Sequence, residues 1–256
     1  MSQENIRKIT RIAAVGDIHV KETDQGKWKE CFQSISEKAD VLLLCGDLTD
    51  TGKKKEAKVL AEELTACSIP VVAVLGNHDY ENDQQDEIKQ VLQSSNFHLL
   101  DGESIVINNI GFAGVKGFGG GFDRFMMPMF GEKMNKEYVL AATEESLRLD
   151  QALVRLDKEG REGEEIKKIV LLHYSPIKAT VQGEPEELFP FLGSSHLVEP
   201  LERRQVLAAF HGHAHSGSLR GKTNSGVEVF NVAKPILLRE GYSFPFYIYE
   251  VKADVR

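Results

Sequence analysis

Short motifs built from aspartate, asparagine and histidine follow five separate apolar segments of this sequence. Carboxylate oxygens, amide oxygens and imidazole nitrogens are ligands that suit Mn, Fe, Zn, Co or Ni ions. A structural zinc site would instead be rich in cysteine thiolates, which these motifs lack. The chemistry these residue types offer is therefore the binding of divalent or transition-metal ions. In chain order the motifs are Gly16-Asp17-Ile18-His19, Gly46-Asp47, Gly76-Asn77-His78-Asp79, His173 and Gly212-His213-Ala214-His215.

The apolar runs before the motifs are short and typical of buried strands, and the segments between the first three show helical periodicity. This alternation predicts an α/β protein with a parallel-rich sheet and crossover helices. Because the carboxyl ends of neighbouring strands deliver their loops to one crevice, motifs that are distant in sequence converge there. The predicted strands are 12–15, 41–45, 71–75, 169–172 and 206–210, and the predicted helices are 28–39, 53–66 and 83–93.

The rest of the chain is predicted to add antiparallel strands and one insert. Segments 104–107 and 110–115 flank Asn108-Asn109, which is typical of a two-residue hairpin turn and makes the sheet mixed. Residues 116–136 are rich in Gly, Met and Phe without clear periodicity, and a long helix is predicted at 137–157. Alternating apolar residues between 215 and 251 predict further antiparallel strands. We expect one domain over residues 1–256, since no Pro/Gly/Ser-rich linker divides the chain.

Taken singly, the motifs are weak evidence for a metal site, because Asp-x-His and Gly-Asn-His-Asp also fit ordinary turns. What favours metal binding is that every predicted buried strand ends in such donors. In extended chain, side chains two residues apart point the same way, which pairs Asp17 with His19 and His213 with His215. The same parity leaves His211 as a competing ligand.

Together the motifs resemble those of the calcineurin-like metallophosphoesterase superfamily, in its order D-x-H, G-D, G-N-H-D, H and G-H-x-H. The resemblance implies a four-layer α/β/β/α sandwich of two mixed β-sheets flanked by helices, with a dinuclear metal centre at the strand ends. It implies a first ion bound by Asp17, His19 and His215, a second bound by Asn77, His173 and His213, and Asp47 bridging the two.

The same resemblance implies catalytic roles for His78 and Asp79. His78 would face the substrate phosphate and the leaving oxygen, and Asp79 would orient the His78 ring. Two divalent ions keep such a site cationic and hold a bridging hydroxide as the nucleophile. We therefore expect hydrolysis of a small phosphodiester or phosphomonoester.

Two other functions compete with this hypothesis. An inactive metal-binding scaffold of the same fold typically lacks site residues, whereas the eight motif residues from Asp17 to His215 are all present. A nuclease needs a basic surface, and the net charge of −8 argues against one. Thr51 and Asp79 also depart from the pattern of protein serine/threonine phosphatases, which resemble this chain less.

The insert at 116–136 is predicted to be a mobile lid that selects the substrate, and a packed structural insert is the alternative. Phe118, Phe122 and Met127 offer apolar contact area, and Gly119 to Gly121 permit unusual backbone conformations. Arg124 is a candidate phosphate contact, and an exposed loop arginine is its alternative.

Composition and termini predict a cytoplasmic protein without a membrane segment or an evident protein partner. The start of the chain, residues 1–11, lacks the apolar stretch of a signal peptide, and the apolar runs are far shorter than the ~20 residues of a bilayer span. The three cysteines have no metal-type spacing and are expected to be buried thiols.

Overall fold

The structure is a computed structural model that describes residues 9–93, 96–159 and 166–252. Strands that begin and end close to the predicted segments form its core. The first eight residues, on which part of the signal-peptide argument rests, lie outside these ranges. The strands are β1 (Ile9–Val15), β2 (Val41–Cys45), β3 (Val71–Val74), β4 (Phe97–Leu99), β5 (Glu103–Ile107), β6 (Ile110–Gly114), β7 (Lys167–Leu171), β8 (Ala208–His211), β9 (Arg220–Lys222), β10 (Glu228–Asn231) and β11 (Tyr247–Lys252).

The strands form two mixed sheets, one in the order β11-β1-β2-β3-β4 and one in the order β5-β6-β7-β8-β10-β9. Strands β1 to β4 run parallel, as do β6, β7, β8 and β10, whereas β11, β5 and β9 are antiparallel edge strands. Fully buried strands such as β2 are continuous apolar runs because both faces of each sheet are covered. The carboxyl ends of the five parallel strands that precede the motifs consequently meet at one edge of the sandwich. These strands are β1, β2, β3, β7 and β8.

Helices cover both outer faces. The longer ones are α1 (Lys29–Lys38), α2 (Lys54–Glu63), α3 (Gln85–Leu92) and α4 (Lys133–Glu159), and the shorter ones are α5 (Phe189–Leu192), α6 (Val198–Arg203) and α7 (Lys234–Arg239). Buried residues of α1 to α3 such as Phe32 and Leu60 join the core of the first sheet, and Leu149 and Leu153 of α4 pack on the second. The predicted four-layer α/β/β/α sandwich is confirmed.

Two sequence predictions need correction. The region from 215 to 251 contains helix α7 between its strands, because Pro235 occupies the first turn, where its missing N–H costs nothing. The long helix begins at Lys133 rather than at 137, so it takes the last residues of the predicted insert. The Asn108-Asn109 turn is confirmed, with φ of 52° and 64°, as are the three buried thiols.

No helix within the described ranges is both long and apolar enough to cross a membrane.

Candidate metal centre

The loops that follow β1, β2 and β8 hold their polar residues in left-handed backbone conformations. The φ angles are 57° at Asp17, 46° at His19, 49° at Asp47 and 70° at His213. Such angles cost a non-glycine residue roughly 1–2 kcal/mol and occur mainly where function requires them. The sequence argument that Asp17 and His19 point alike because the chain is extended was therefore wrong about the backbone.

Three overlapping groups of side chains bring their ligand atoms within 4.8 Å of one another. They are Asp17 with His19 and His215, His19 with Asp47 and His78, and Asp47 with His173 and His213. The first group has the members of the first ligand set that the resemblance implied, and the third contains His173 and His213 of the second set together with Asp47. Asp47 belongs to the second and third groups, and the second group shares His19 with the first, so Asp47 connects the two sets. Geometry alone would also allow His78 to be a ligand.

Asp17 is fully buried and anchors the first group. Its carboxylate accepts a hydrogen bond from His215 Nε2 at 3.0 Å and from the backbone N–H of His213 at 3.0 Å. Burial raises the pKa of Asp17, but the bond from His215 and the neighbouring His173 and His213 outweigh it and lower this pKa to about 2. Asp17 is therefore an anion at neutral pH, as a metal ligand must be.

His19 offers a nitrogen that the protein itself leaves without a partner. Its Nε2 is buried, makes no hydrogen bond and lies 3.7 Å from Asp47 Oδ2. Burial lowers the pKa of His19 to about 4, so the ring is neutral at pH 7 and carries a free lone pair. A buried polar atom normally has a partner, and a cation bound between Asp17, His19 and His215 would provide one.

The His173 ring and the Asn77 amide each point an acceptor atom, Nε2 and Oδ1, towards the other. His173 Nδ1 donates to the carbonyl of Cys45 at 3.0 Å, and burial lowers the pKa of His173 well below its ordinary value, so Nε2 carries a lone pair. That Nε2 lies 2.8 Å from Asn77 Oδ1 and 3.4 Å from Asp47 Oδ1. A nitrogen and two oxygens with lone pairs converging on one point match the donor set of a bound cation.

Asp47 is the most crowded anion of the cluster. It is almost fully buried, and its Oδ1 accepts the backbone N–H of His78 at 2.9 Å. Burial, followed by repulsion from Asp17 and Asp79, raises the pKa of Asp47 well above its ordinary value. Bound cations would stabilise the ionised carboxylate of Asp47, which is otherwise unfavourable in this position, and a carboxylate shared by two metal ions would fit here. The residues present therefore fit a dinuclear centre.

Two glycines allow the loops to come this close. A Cβ built on Gly76 would collide with the carboxylate of Asp47, and one built on Gly212 would collide with the carboxylate of Asp17. Gly76 and Gly212 are thus required by the close approach of a ligand from the loop after another strand.

His78 lies beside the cluster with its ring partly exposed. Nδ1 donates to the carbonyl of Asp50 at 2.8 Å, and Nε2 lies 3.9 Å from Asp47 Oδ2. The ring of His19 packs edge-on against it at 4.6 Å between centroids. The imidazole is therefore held by one nitrogen while the other faces the cluster.

The role expected for Asp79 is not met, because its carboxylate is hydrogen-bonded elsewhere. It is fully buried and accepts bonds from the backbone N–H groups of Leu48, Thr49 and Gly76 and from the Thr49 hydroxyl. Asp79 thus connects the loop after β2 to the loop after β3. The His78 ring is hydrogen-bonded to the carbonyl of Asp50 and not, as expected, to Asp79.

His211 and Arg124 lie apart from the three groups. His211 is buried at the end of β8, where Nε2 contacts Thr180 Oγ1 and Nδ1 contacts the carbonyl of Gly212, each at 2.8 Å. Arg124 is exposed, with its guanidinium 4.7 Å from the centroid of the Phe125 ring. None of the contacts among the described residues joins Arg124 to the ligands, so its phosphate contact remains a prediction.

The predicted insert divides into a packed half and an exposed half. Gly120 and Gly121 donate backbone hydrogen bonds to the carbonyls of Pro190 and Gly193, and Phe118 packs 4.9 Å from Tyr138. Beyond Phe122 the segment turns outward, and Phe130 is 73% exposed. The structure therefore confines any mobile lid to the outer half.

A cavity of about 760 Å³ opens from the cluster and contains residues that the sequence analysis missed. His19, His78 and His215 form one end, and Trp28 and Lys234 line the rest. The signal that could have indicated Lys234 is the Pro that follows it, which marks a helix start directly after a strand.

Two sheets in an α/β/β/α sandwich with an aspartate, asparagine and histidine cluster at the strand ends define a metallophosphoesterase fold. A family model for calcineurin-like phosphoesterases matches residues 10–217, and the chain belongs to that family.

Among curated proteins, a probable glycerophosphodiester phosphodiesterase GpdQ of Arcobacter nitrofigilis is 23% identical over 188 residues, 72% of this chain. The match covers 59% of that relative's own length. Among solved structures, the phosphopantetheinyl hydrolase PptH of Mycobacterium tuberculosis superposes with a TM-score of 0.62 at 14% identity, covering 94% of this chain and 95% of that one. TT1561 of Thermus thermophilus gives a TM-score of 0.57 at 16% identity, covering 96% and 99%. These two structures share the fold.

Proposed function

We propose that this chain is a dinuclear metal-dependent phosphoesterase that hydrolyses a small phosphodiester or phosphomonoester. The observation that carries the proposal is the pair of ligand groups on either side of Asp47, each containing a buried neutral imidazole nitrogen aimed at carboxylate oxygens. A site of this kind fits two cations close together better than it fits one.

In this proposal, Asp17, His19 and His215 hold one ion, Asn77, His173 and His213 hold the other, and Asp47 is shared. Two bound ions would polarise the phosphoryl oxygens and supply an activated water molecule in line with the leaving group. The chain's own residues fix the geometry, because left-handed loops and buried hydrogen bonds set the position of each ligand before substrate arrives.

His78 acts on the substrate side. With Nδ1 bonded to the carbonyl of Asp50, a protonated ring presents its Nε2–H towards a bound phosphate or the departing oxygen. Histidine is the residue type that most often acts as a general acid, and this position suits His78 to protonate the departing alkoxide as the P–O bond breaks. Asp79 supports the reaction only by holding the loops that carry Asp47 and Asn77.

Two observations support a diester. The relative from Arcobacter nitrofigilis is named as a phosphodiesterase, and the cavity of about 760 Å³ beside the cluster has room for groups on both sides of a phosphate. We therefore expect the metal-loaded protein to cleave an aryl phosphodiester faster than the matching aryl phosphomonoester.

The test begins with chelator-treated protein reconstituted with Mn, Fe, Zn, Co or Ni in turn. Elemental analysis should approach two ions per chain, and hydrolysis of an aryl phosphodiester should follow the second equivalent. Saturation at one ion, or no metal-dependent hydrolysis of either ester class, would overturn the proposal.

His78→Ala should retain the metal content of the wild type while kcat falls by about 10²–10⁴-fold. The loss should shrink for esters with very acidic leaving groups, which need little protonation. His98→Ala is the matched control, because His98 lies on the edge strand β4 and belongs to none of the ligand groups. Loss of metal in His78→Ala would show that His78 is a ligand.

A further inference from the structure

The cavity next to the ligand cluster is far larger than a phosphate group requires. From His19, His78 and His215 it extends over about 760 Å³ to Trp28 and Phe244. Its far end has apolar walls, and the cavity as a whole is lined by three lysines, Lys21, Lys27 and Lys234, and by three carboxylates, Asp24, Glu30 and Asp50. A substrate bound by its phosphate at the cluster would therefore place its alcohol portion against these residues.

Lys234 is fixed at the junction between the ligand loop and this far end. Its backbone N–H donates to the carbonyl of Gly16 at 2.9 Å, directly before Asp17. Its Nζ donates to the carbonyl of Ile18 at 3.0 Å and lies 5.2 Å from the centroid of the Trp28 ring. The ammonium group is thus held between the first ligand group and the aromatic wall.

Lys234 also differs from the other lysines of the cavity in its charge balance. Lys27 pairs with Asp24 at 2.5 Å, and Lys21 lies 3.7 Å from Asp50. Within the described parts of the chain, no carboxylate lies within salt-bridge distance of Lys234, which is half-buried. A half-buried ammonium group without a counter-ion keeps two of its three donors for an incoming anion.

The remaining carboxylate of the cavity does not reverse this balance. Glu30 is exposed to solvent, so water screens its charge. Burial lowers the pKa of Lys234, and the more distant carboxylates of Asp17, Asp24 and Asp50 act in the opposite direction. Lysines and carboxylates of the cavity are equal in number, but Asp24 and Asp50 each lie within salt-bridge distance of another lysine, so the ammonium that an incoming anion can pair with is that of Lys234.

We infer that the cavity recognises phosphate esters whose alcohol portion carries its own anionic group, a carboxylate or a second phosphate, and that Lys234 binds this group. The inference rests on the proposed function and adds a substrate class to it. The scissile phosphate would lie at the ligand cluster, the second anionic group would meet the ammonium of Lys234 beside the first ligand group, and apolar parts of the alcohol would contact Trp28 and Phe244. Lys234 would then determine specificity without taking part in bond cleavage.

The experiment compares two esters that differ in one charge, methyl meta-carboxyphenyl phosphate and methyl meta-carbamoylphenyl phosphate. The metal-loaded wild type should favour the carboxylate ester in kcat/KM by about ten- to hundredfold, the range of a charge-assisted hydrogen bond. Lys234→Gln should lose this preference, and Lys234→Arg should retain most of it. Lys222→Gln, which removes a surface lysine on β9 paired with Glu228, should behave like the wild type.

Binding without turnover separates this inference from the proposed function. The matching benzylphosphonates, with a meta-carboxyl or meta-carbamoyl group, are titrated calorimetrically into the same metal-loaded proteins. A carboxylate preference that Lys234→Gln abolishes in binding supports the subsite even if neither ester is hydrolysed, which would count against the proposed function alone.

Three results would overturn the inference: equal binding of the two phosphonates by the wild type, an unchanged preference in Lys234→Gln, or an equal loss of both phosphonates in that variant. The last would mean that Lys234 binds the phosphate itself. Metal content and melting temperature of each variant are measured alongside, so that a disturbed ligand loop is recognised as a structural effect.

Discussion

Replacing Asp79 with asparagine tests whether one buried carboxylate holds two ligand loops together. One oxygen of Asp79 accepts the N–H and the hydroxyl of Thr49 at 2.8 and 2.6 Å. The other accepts the N–H groups of Leu48 and Gly76 at 3.1 and 2.8 Å. Asparagine keeps one oxygen, so its NH₂ group must face one of these donor pairs. If it faces Thr49, the hydroxyl can rotate to accept, but the Thr49 N–H loses its acceptor.

The expected cost follows from these contacts. The Thr49 N–H, a buried donor without a partner, costs about 1–3 kcal/mol, and the second N–H of the asparagine amide, which has no acceptor there, adds about 1 kcal/mol. Removing the charge returns part of this, because burial raises the pKa of Asp79 and the ionised form is therefore unfavourable there. We expect a net loss of roughly 2–3 kcal/mol in the free energy of unfolding, or about 4–12 °C in melting temperature for a chain of this size.

Urea unfolding at pH 7 in the presence of a chelator measures this cost without a contribution from metal binding. Asp123→Asn is the matched control, because Asp123 is exposed and its φ of 54° suits asparagine equally well. The Asp79 variant should also bind metal more weakly, since the loops with Asp47 and Asn77 lose their common anchor. An Asp79→Asn protein within about 0.5 kcal/mol of the wild type would refute this account of the buried carboxylate.

Three further predictions concern the shared ligand, one ion pair and the insert. Asp47→Asn should lower occupancy of both metal sites in elemental analysis, because a neutral amide bridges two cations poorly, and loss of a single ion would show that Asp47 serves one site only. Asp150→Asn should lower stability by about 0.5–1 kcal/mol at pH 7. The hydrogen bond from Arg204 lowers the pKa of Asp150, so this contribution is present above the ordinary value of 3.8 and is lost as pH falls through the lower folded pKa. A difference in melting temperature that does not shrink as pH is lowered below 3.8 would contradict this prediction. A Gly/Ser linker in place of residues 125–131 should leave the melting temperature unchanged and alter the rank order of ester substrates, whereas replacing 118–122 should destabilise the fold; an unchanged rank order would exclude the outer half from specificity.

The residues of the site were predictable because the signal is local. A buried strand is a short apolar run, and the donors follow it within a few residues, so Asp17, Asp47 and His173 are visible without any knowledge of the fold. Convergence within one sheet follows from parallel strand order, but His173 joins Asp17 and Asp47 only because the second sheet packs on the first with its strand ends at the same edge.

What sequence could not supply depends on contacts between distant segments. Lys234 reaches Ile18 only because the segment after β10 runs beside Gly16. Similarly, Leu48 and Thr49, whose N–H groups donate to Asp79, lie about thirty positions earlier in the chain. In the sequence, the adjacent His78 was the more obvious hydrogen-bond partner for Asp79. The left-handed φ of His19 has only a weak cue in its residue type, since histidine adopts positive φ more often than most residues but still in a small minority of cases.

Because His19 has a left-handed backbone conformation, selection of variants for stability and selection for activity would favour different residues at this position. With φ of 46° and a buried nitrogen that has no protein partner, this histidine weakens the metal-free fold twice. Glycine at this position would remove both costs, so a screen for heat resistance in chelator should enrich His19→Gly or similar changes. The variants recovered would have higher thermal stability but no activity. Directed evolution of this chain therefore needs metal in the medium and an activity assay in the same round, because selection for thermal stability alone would remove the metal ligands.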